Sequence, residues 1–196
     1  MPALTTVRIA ELLQPFYASP PPDLLDQLSV YLDLLLKWNA RTNLTSIRDP
    51  EEIVRRHFGE SLFTAAHLPA CGTLLDLGSG AGFPGIPIQL ALPQLKVTLA
   101  ESQNKKAAFL REAVRTLGLP AQVWADRAEN LPPGTCFDVV TLRAVDDPET
   151  ALRVAESLIC AAGVIAHLTS SRHPTGVVIP IPGTSRTVLH LLRRLS

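Results

Sequence analysis

The chain has 196 residues, of which 18 are basic and 18 acidic, so its formal net charge at pH 7 is zero. That balance excludes a histone-like protein or a nucleic-acid binder that relies on a charged tail. With 46% apolar residues the chain can form one sizeable core plus a small additional segment. No apolar run approaches the roughly 20 residues that cross a bilayer, and the N-terminus lacks a secretory signal pattern. We therefore expect a cytoplasmic protein without membrane contact.

Residues 1–70 are predicted to be helical. Apolar residues recur at helical spacing after Asp23, whose carboxylate can cap a helix. Asp49 and Pro50 repeat this start signal, with further acids in the first turn. The polar stretch 39–47 between these helices is predicted to be a loop. We interpret residues 1–70 as a helical N-terminal extension.

Residues 71–196 change to alternating strands and helices. Strands are predicted at 73–77, 96–101, 121–125, 137–142 and 164–168, and helices at 85–91, 103–117 and 147–160. This alternation predicts an α/β domain with a mostly parallel sheet and helices on both faces. Two apolar runs in the tail, 176–181 and 186–192, are joined by a Pro-Gly turn and predict an antiparallel hairpin that closes the sheet.

The three cysteines are an odd number and lack CxxC spacing. They are Cys71, Cys136 and Cys160. This pattern predicts neither a disulfide framework nor a metal site, and it fits a reducing compartment. We expect all three to pack in or near the core.

The first predicted strand runs into a glycine-rich loop with the order D-x-G-x-G-x-G. Asp76 precedes Gly78 and Gly80, and Phe83 stands where a dinucleotide fingerprint has its third glycine. Glycines at a strand end let the backbone approach a ligand closely. This order resembles motif I of the class I methyltransferases, whose cofactor is S-adenosylmethionine. For Asp76 itself, local capping of the loop and a role near the methionine amino group are equally compatible with the pattern.

Polar residues also follow the next three predicted strands. Glu101 lies about 20 residues beyond the loop, where an acid can accept hydrogen bonds from both ribose hydroxyls of an adenosine. Ala128 and Glu129 follow the third strand, where class I methyltransferases contact the adenine ring, so the resemblance makes them candidate adenine contacts. Arg143 follows the fourth strand, at the edge of the sheet where ligands bind.

Several separate segments resemble one family. They are 43–47 (NLTSI), 49–52 (DPEE), 56–58 (RHF), 60–62 (ESL), 83–87 (FPGIP), 127–129 (RAE) and 140–145 (VTLRAV). Their order over roughly residues 23–145 resembles the RsmG family, also called GidB, the bacterial 16S ribosomal RNA guanine-N7 methyltransferases. The resemblance implies a class I methyltransferase domain over residues 71–196, S-adenosylmethionine as donor and a guanine in the 530 loop as acceptor.

The resemblance also places contacts on individual residues. The implied cofactor contacts are Gly78, Phe83, Glu101, Ser102, Gln103, Ala128, Glu129 and Arg143, to which we add Asp76 and Gly80 from the loop. Candidate substrate contacts are Asn43, Arg48 and Arg143. With the implied acceptor, Arg143 could contact guanine O6, a phosphate or the cofactor. Family members commonly have Asp where Glu60 stands, and they have a longer, lysine-containing segment in place of residues 166–174.

The implied reaction needs no general base, because neutral guanine already exposes a lone pair at N7. We therefore name no catalytic residue, and we expect His57 to be a hydrogen-bonded core residue. Zero net charge predicts weak binding to naked RNA, which favours presentation in a small ribosomal subunit or an assembly intermediate. Three alternatives remain: a class I methyltransferase with another acceptor, a nicotinamide-dependent oxidoreductase, and a cofactor binder without activity.

Overall fold

The computed structural model describes residues 2–145, 147–170, 175–184 and 187–193. Within them, seven strands form one sheet in the order β3-β2-β1-β4-β5-β7-β6. The strands are β1 (Thr73–Leu77), β2 (Lys96–Ala100), β3 (Gln122–Trp124), β4 (Phe137–Arg143), β5 (Ile159–Thr169), β6 (Val177–Pro180) and β7 (Val188–Arg193). Strands β1 to β5 are parallel, whereas β7 is antiparallel to both β5 and β6. The α/β fold class is thereby confirmed, including the antiparallel tail.

The helices flank this sheet and also precede it. They are α1 (Thr6–Leu13), α2 (Pro22–Asn39), α3 (Pro50–Ile53), α4 (Glu60–His67), α5 (Gly85–Ala91), α6 (Asn104–Thr116) and α7 (Pro148–Leu158). A π-helical turn, Val54–Gly59, joins α3 to α4. None of the helices in the described ranges is long and apolar enough to cross a membrane.

Two of the predicted helix starts have different outcomes. The Asp49 side chain accepts a hydrogen bond from the Glu52 N–H at 2.8 Å and caps α3, as predicted. The prediction that Asp23 caps α2 is wrong, because the helix begins at Pro22 and Asp23 lies in its first turn. Proline suits the first helical position because its fixed φ is already helical and its missing N–H has no partner to lose there.

The helices before β1 pack on the same face of the sheet as α5 and α6. One continuous core contains buried residues of α2, such as Leu28 and Tyr31, together with Leu99 of β2 and Phe109 of α6. A second cluster on the opposite face packs α7 against β4 and β5. Residues from both sides of position 70 therefore share one core, and the domain division at 70 stays a prediction.

The predicted boundary between α7 and β5 is wrong. We expected the helix to reach residue 160 and the strand to begin at 164, but β5 already begins at Ile159. Ile159 pairs with Phe137, and the register shifts before Val139 pairs with Val164. The apolar run 159–163 fits a buried helix or a buried strand equally well, so its periodicity could not place the boundary.

A disulfide joins Cys136 to Cys160. The sequence-based prediction that the cysteines form no disulfide is therefore wrong for this pair. Their Cα atoms lie 5.2 Å apart because Cys136 immediately precedes β4 and Cys160 is the second residue of its neighbour β5. Cys71 is free and half-buried. An odd count of cysteines carries no information about which two residues meet across neighbouring strands.

Candidate functional site

A cavity lies where the strand order of the sheet reverses. Strand β1 has β2 on one side and β4 on the other, and ligands bind such sheets beyond the carboxyl ends of the strands at this point. The cavity has a volume of about 660 Å³, within the range of small-molecule sites. Most of its lining comes from residues 44–47, 78–81, 143–145 and 167–170.

The glycine loop after β1 forms one wall of this cavity. Gly78 and Gly80 line it, and Gly80 has a φ of +57°. A Cβ built on Gly80 would have the Gly78 carbonyl oxygen, at 3.8 Å, as its one neighbour within 4 Å, an ordinary van der Waals contact. Gly82 serves packing instead, since a Cβ there would lie 2.5 Å from Ile86 and 2.7 Å from the Tyr31 hydroxyl. The loop therefore leaves room for a ligand at Gly80.

Asp76 lies beneath the loop, and it is not one of the residues that line the cavity. Its carboxylate accepts hydrogen bonds from the Gly85 N–H at 3.1 Å and from the Thr141 hydroxyl at 2.7 Å. Burial raises the pKa of Asp76 to about 6, against the opposing effect of these hydrogen bonds. Of the two roles that the sequence left open for Asp76, these contacts are those of loop capping.

Glu101 connects the end of β2 to the glycine loop. One carboxylate oxygen accepts from the Gly80 N–H at 3.0 Å, and the other accepts from the Gln103 N–H at 2.7 Å. The residue is buried. A carboxylate offers about four acceptor positions, so these two bonds leave it capacity to accept from a ligand.

Phe83 and Arg143 line the cavity and meet through His57. The imidazole of His57 stacks on the Phe83 ring with centroids 4.6 Å apart, and the Arg143 guanidinium lies 6.0 Å from the same ring. His57 belongs to the π-helical turn, a feature often found at functional sites. The hydrogen bonds of His57 confirm the expectation of a bonded core residue, yet its ring also forms part of the cavity wall.

A buried ion pair ties the end of β4 to the helices. Arg143 Nη2 donates to Glu60 Oε2 at 2.9 Å and to the Arg56 carbonyl oxygen at 2.9 Å. Arg56 Nε donates to the other oxygen of Glu60, also at 2.9 Å. Burial lowers the pKa of Arg143, and the adjacent Glu60 opposes this shift. The carboxylate at position 60 thus compensates the buried charge of Arg143.

Thr45 is a cavity residue that the sequence analysis did not single out. Its hydroxyl lies 2.7 Å from His57 Nε2, and the Ile47 N–H donates to it at 3.2 Å. His57 and Arg143, which complete this contact, are far apart in the sequence, so no local pattern could have indicated it. The one indication in the sequence was that Thr45 lies within NLTSI, a segment that resembles the family.

The remaining candidate residues are not among those that line the cavity. Asn43 and Arg48 are exposed, flank residues 44–47 and bond to each other through Arg48 Nη2 and Asn43 Oδ1 at 2.8 Å. Ala128 is buried at the start of a short 3-10 helix after β3. Ser102, Gln103 and Glu129 are exposed. Of the ten candidate cofactor contacts, the cavity thus unites Gly78, Gly80, Phe83 and Arg143.

Comparison with known proteins identifies the family. The family model GidB, described as rRNA small subunit methyltransferase G, matches residues 24–176, which is well over half of the chain. The chain belongs to the GidB family. The match includes the glycine loop, Glu101, Arg143 and the segment 44–47.

Two relatives of this GidB chain carry the name ribosomal RNA small subunit methyltransferase G. The protein of Stenotrophomonas maltophilia strain K279a is 49% identical over 136 residues, covering 69% of this chain and 64% of that protein. The protein of Xanthomonas euvesicatoria is 45% identical over 154 residues, covering 74% of this chain and 72% of the relative. The matched part thus spans less than two thirds of the Stenotrophomonas protein.

Solved structures with lower identity share the fold. An O-methyltransferase family protein from Burkholderia thailandensis is 16% identical with a TM-score of 0.59, covering 94% of this chain and 76% of that one. An rRNA methylase from Streptococcus thermophilus is 17% identical with a TM-score of 0.52, covering 70% and 95%. The GidB chain therefore has the fold of the class I methyltransferases.

Proposed function

We propose that the chain transfers a methyl group from S-adenosylmethionine to N7 of a guanine in the 530 loop of 16S ribosomal RNA. The names of the GidB relatives support methyl transfer to small-subunit rRNA. The observation that carries the cofactor assignment is the buried Glu101 carboxylate, which accepts from the Gly80 N–H beside the cavity. An acid in this position after the second strand suits the ribose of an adenosine.

The residues present fit this cofactor. Gly78 and Gly80 admit a ligand close to the backbone, and Glu101 keeps acceptor capacity for ribose hydroxyls. Ser102, Gln103, Ala128 and Glu129 follow the ends of β2 and β3 and would surround the adenosine. When bound, S-adenosylmethionine supplies an electrophilic methyl group on a sulfonium centre.

The chain's own contribution is to position the acceptor. A guanine N7 already carries its lone pair, so no residue has to remove a proton. Burial and the nearby guanidinium groups of Arg143 and Arg56 lower the pKa of His57 to about 2, so the ring stays neutral. A fixed cavity wall of Phe83, His57 and Arg143 can hold the base in place, and such orientation alone provides large effective molarities.

The charge distribution around the cavity favours an acceptor RNA that is presented within a ribosomal particle. Arg55 and Arg56 are paired with Glu51 and Glu60, whereas Arg48 is exposed beside Asn43 and Lys106 lines the cavity. Few cations at the cavity therefore remain for phosphates, which predicts weak binding to naked RNA. We infer that a small ribosomal subunit or an assembly intermediate presents the loop, which places the reaction in the cytoplasm.

The test is transfer of labelled methyl from S-adenosylmethionine to purified small ribosomal subunits that lack the modification. The expected result is one modified guanine in the 530 loop, mapped by cleavage at N7-methylguanine. Subunits that already carry the modification serve as the control and should accept no label. Cofactor binding by calorimetry without any transfer would refute the proposed acceptor, and absence of cofactor binding would refute the methyltransferase activity itself.

A further inference from the structure

A chain of hydrogen bonds runs along the cavity wall from Glu60 to Thr45. Glu60 accepts from Arg143 Nη2, and Arg143 Nη1 lies 2.7 Å from His57 Nδ1. On the other side of the ring, His57 Nε2 lies 2.7 Å from Thr45 Oγ1. The polarity of this chain determines what the Thr45 hydroxyl can offer to a ligand.

The first link fixes the tautomer of His57. A guanidinium has donors only, so Nδ1 of His57 must accept from Arg143. A protonated His57 would place two donors face to face, and burial already keeps its pKa far below neutral pH. The ring hydrogen is therefore on Nε2, which donates to the Thr45 hydroxyl.

The second link determines the role of Thr45. A hydroxyl has two acceptor positions and one donor hydrogen. The Ile47 N–H and the His57 Nε2–H both donate to Thr45 Oγ1, so its acceptor capacity is used. Thr45 lines the cavity, and toward a ligand it can act only as a donor.

We propose that the Thr45 hydroxyl donates a hydrogen bond to O6 of the acceptor guanine and thereby selects guanine over adenine. Beside N7, guanine presents an acceptor at O6, whereas adenine presents a donor at N6. The hydroxyl of an unconstrained threonine can rotate either to donate to O6 or to accept from N6. The Thr45 hydroxyl can only donate, so it would meet the N6 donor of adenine without forming a hydrogen bond. His57 is a positioning residue in this assignment. The inference rests on the proposed methylation of guanine N7.

Two cationic donors at the cavity are less suited to this role. Arg143 is engaged by Glu60, the Arg56 carbonyl and His57. Lys106 also lines the cavity, but an ammonium on a flexible stem acts as a point charge that suits a phosphate. Thr45 is held by bonds from two separate segments, so its donor has a defined direction.

The test combines enzyme variants with two acceptors. Small subunits are reconstituted with 16S rRNA that carries either guanine or 2-aminopurine at the target, because 2-aminopurine keeps N7 and lacks O6. The enzymes are wild type, Thr45→Val, Thr45→Ser and, as a matched control, Thr116→Val at an exposed position at the end of α6. Calorimetry measures the S-adenosylmethionine affinity of each enzyme.

On guanine, Thr45→Val should lower kcat/KM by about tenfold, the effect of one lost hydrogen bond. Thr45→Ser keeps the hydroxyl and should retain most of the rate, and Thr116→Val should equal wild type. On 2-aminopurine, Thr45→Val should lose clearly less kcat/KM than it loses on guanine, because only guanine has an O6 partner for the hydroxyl. Cofactor affinity should be the same in all four enzymes.

Three results would overturn the assignment. They are an unchanged rate of Thr45→Val on guanine, an equal loss on both acceptors, and a parallel loss of cofactor affinity. If Thr45→Val does not fold, Thr45→Ala replaces it in the same comparison. Failure of wild type to methylate guanine at all would instead refute the proposed function, and this inference with it.

Discussion

Asp76 carries a carboxyl group that is almost completely buried between β1 and β4. Its folded-state pKa of about 6 lies above the value of 3.8 expected for an exposed aspartate, because burial disfavours the charge. The folded protein therefore binds a proton more tightly here than the unfolded chain does. The stability that this proton contributes is fully present below pH 3.8 and is lost as the pH rises through 6.

We predict that this group gives the folded protein a measurable pH dependence. Between pH 4 and 6, the free energy of unfolding of wild type should fall by about 2 kcal/mol relative to that of Asp76→Asn. The complete difference for these two pKa values is about 3 kcal/mol, but part of it is lost below pH 4 and above pH 6. Urea unfolding of both proteins from pH 4 to pH 8 measures the difference. Parallel pH profiles of the two proteins would show that Asp76 titrates normally.

A second prediction for a single residue concerns Glu101 and the affinity for the cofactor. Glu101→Ala should weaken S-adenosylmethionine binding by about 1–3 kcal/mol, the range for lost hydrogen bonds to a charged group. The variant also removes the acceptor of the Gly80 N–H, so the loop loses its tie to β2. Calorimetry provides the dissociation constants, with Glu156→Ala on the exposed surface of α7 as control. An unchanged dissociation constant of Glu101→Ala would exclude Glu101 from the cofactor site.

In the loop between β1 and α5, two glycines have different roles: Gly80 borders the cavity and Gly82 packs against neighbouring side chains. Gly80 and Gly82 both have positive φ, so an alanine at either position carries the cost of left-handed backbone, about 1–2 kcal/mol. At Gly82 the new methyl group would also collide with Ile86 and Tyr31. At Gly80, which lines the cavity, it would meet only the Gly78 carbonyl oxygen, at 3.8 Å.

Gly80→Ala and Gly82→Ala should therefore have different main effects: one variant should lose more cofactor affinity and the other more stability. Gly82→Ala should lose more stability by about 1–3 kcal/mol, the usual cost of overpacking. Gly80→Ala should lose more affinity for S-adenosylmethionine. Urea unfolding and calorimetry on the two purified variants measure these effects. Equal losses of stability would contradict the packing role of Gly82.

Elements with a strong local signal could be predicted from the sequence. The glycine loop, the strand before it and the α3 cap all depend on neighbouring residues. The start of β5 and the Cys136–Cys160 disulfide depend on pairing with β4, a contact between distant segments. The candidate site shows the same division. Spacing singled out Gly80 and Glu101, which a hydrogen bond joins, whereas it gave no indication of the bonds that join Thr45, His57 and Arg143.

At the scale of the whole molecule, the helices before β1 help to form the site. Tyr31 of α2 stacks on Phe58 and lies beside Phe83 and Phe109, and its hydroxyl donates to the Ala81 carbonyl of the glycine loop. Through this hydrogen bond the helical segment stabilises the glycine loop. The Glu60–Arg143 pair connects the same segment to β4.

We predict that residues 71–196 do not fold when separated from the preceding helices. Removal would expose the core face around Phe83 and Phe109, and it would leave Arg143 without Glu60, which for a buried pair costs about 3–5 kcal/mol. The isolated fragment should show no cooperative urea transition, whereas mixing it with fragment 2–70 should restore one along with S-adenosylmethionine binding. A sigmoidal transition of fragment 71–196 alone would instead make residue 70 a true domain boundary, with the helices as an appendage to an independent methyltransferase fold.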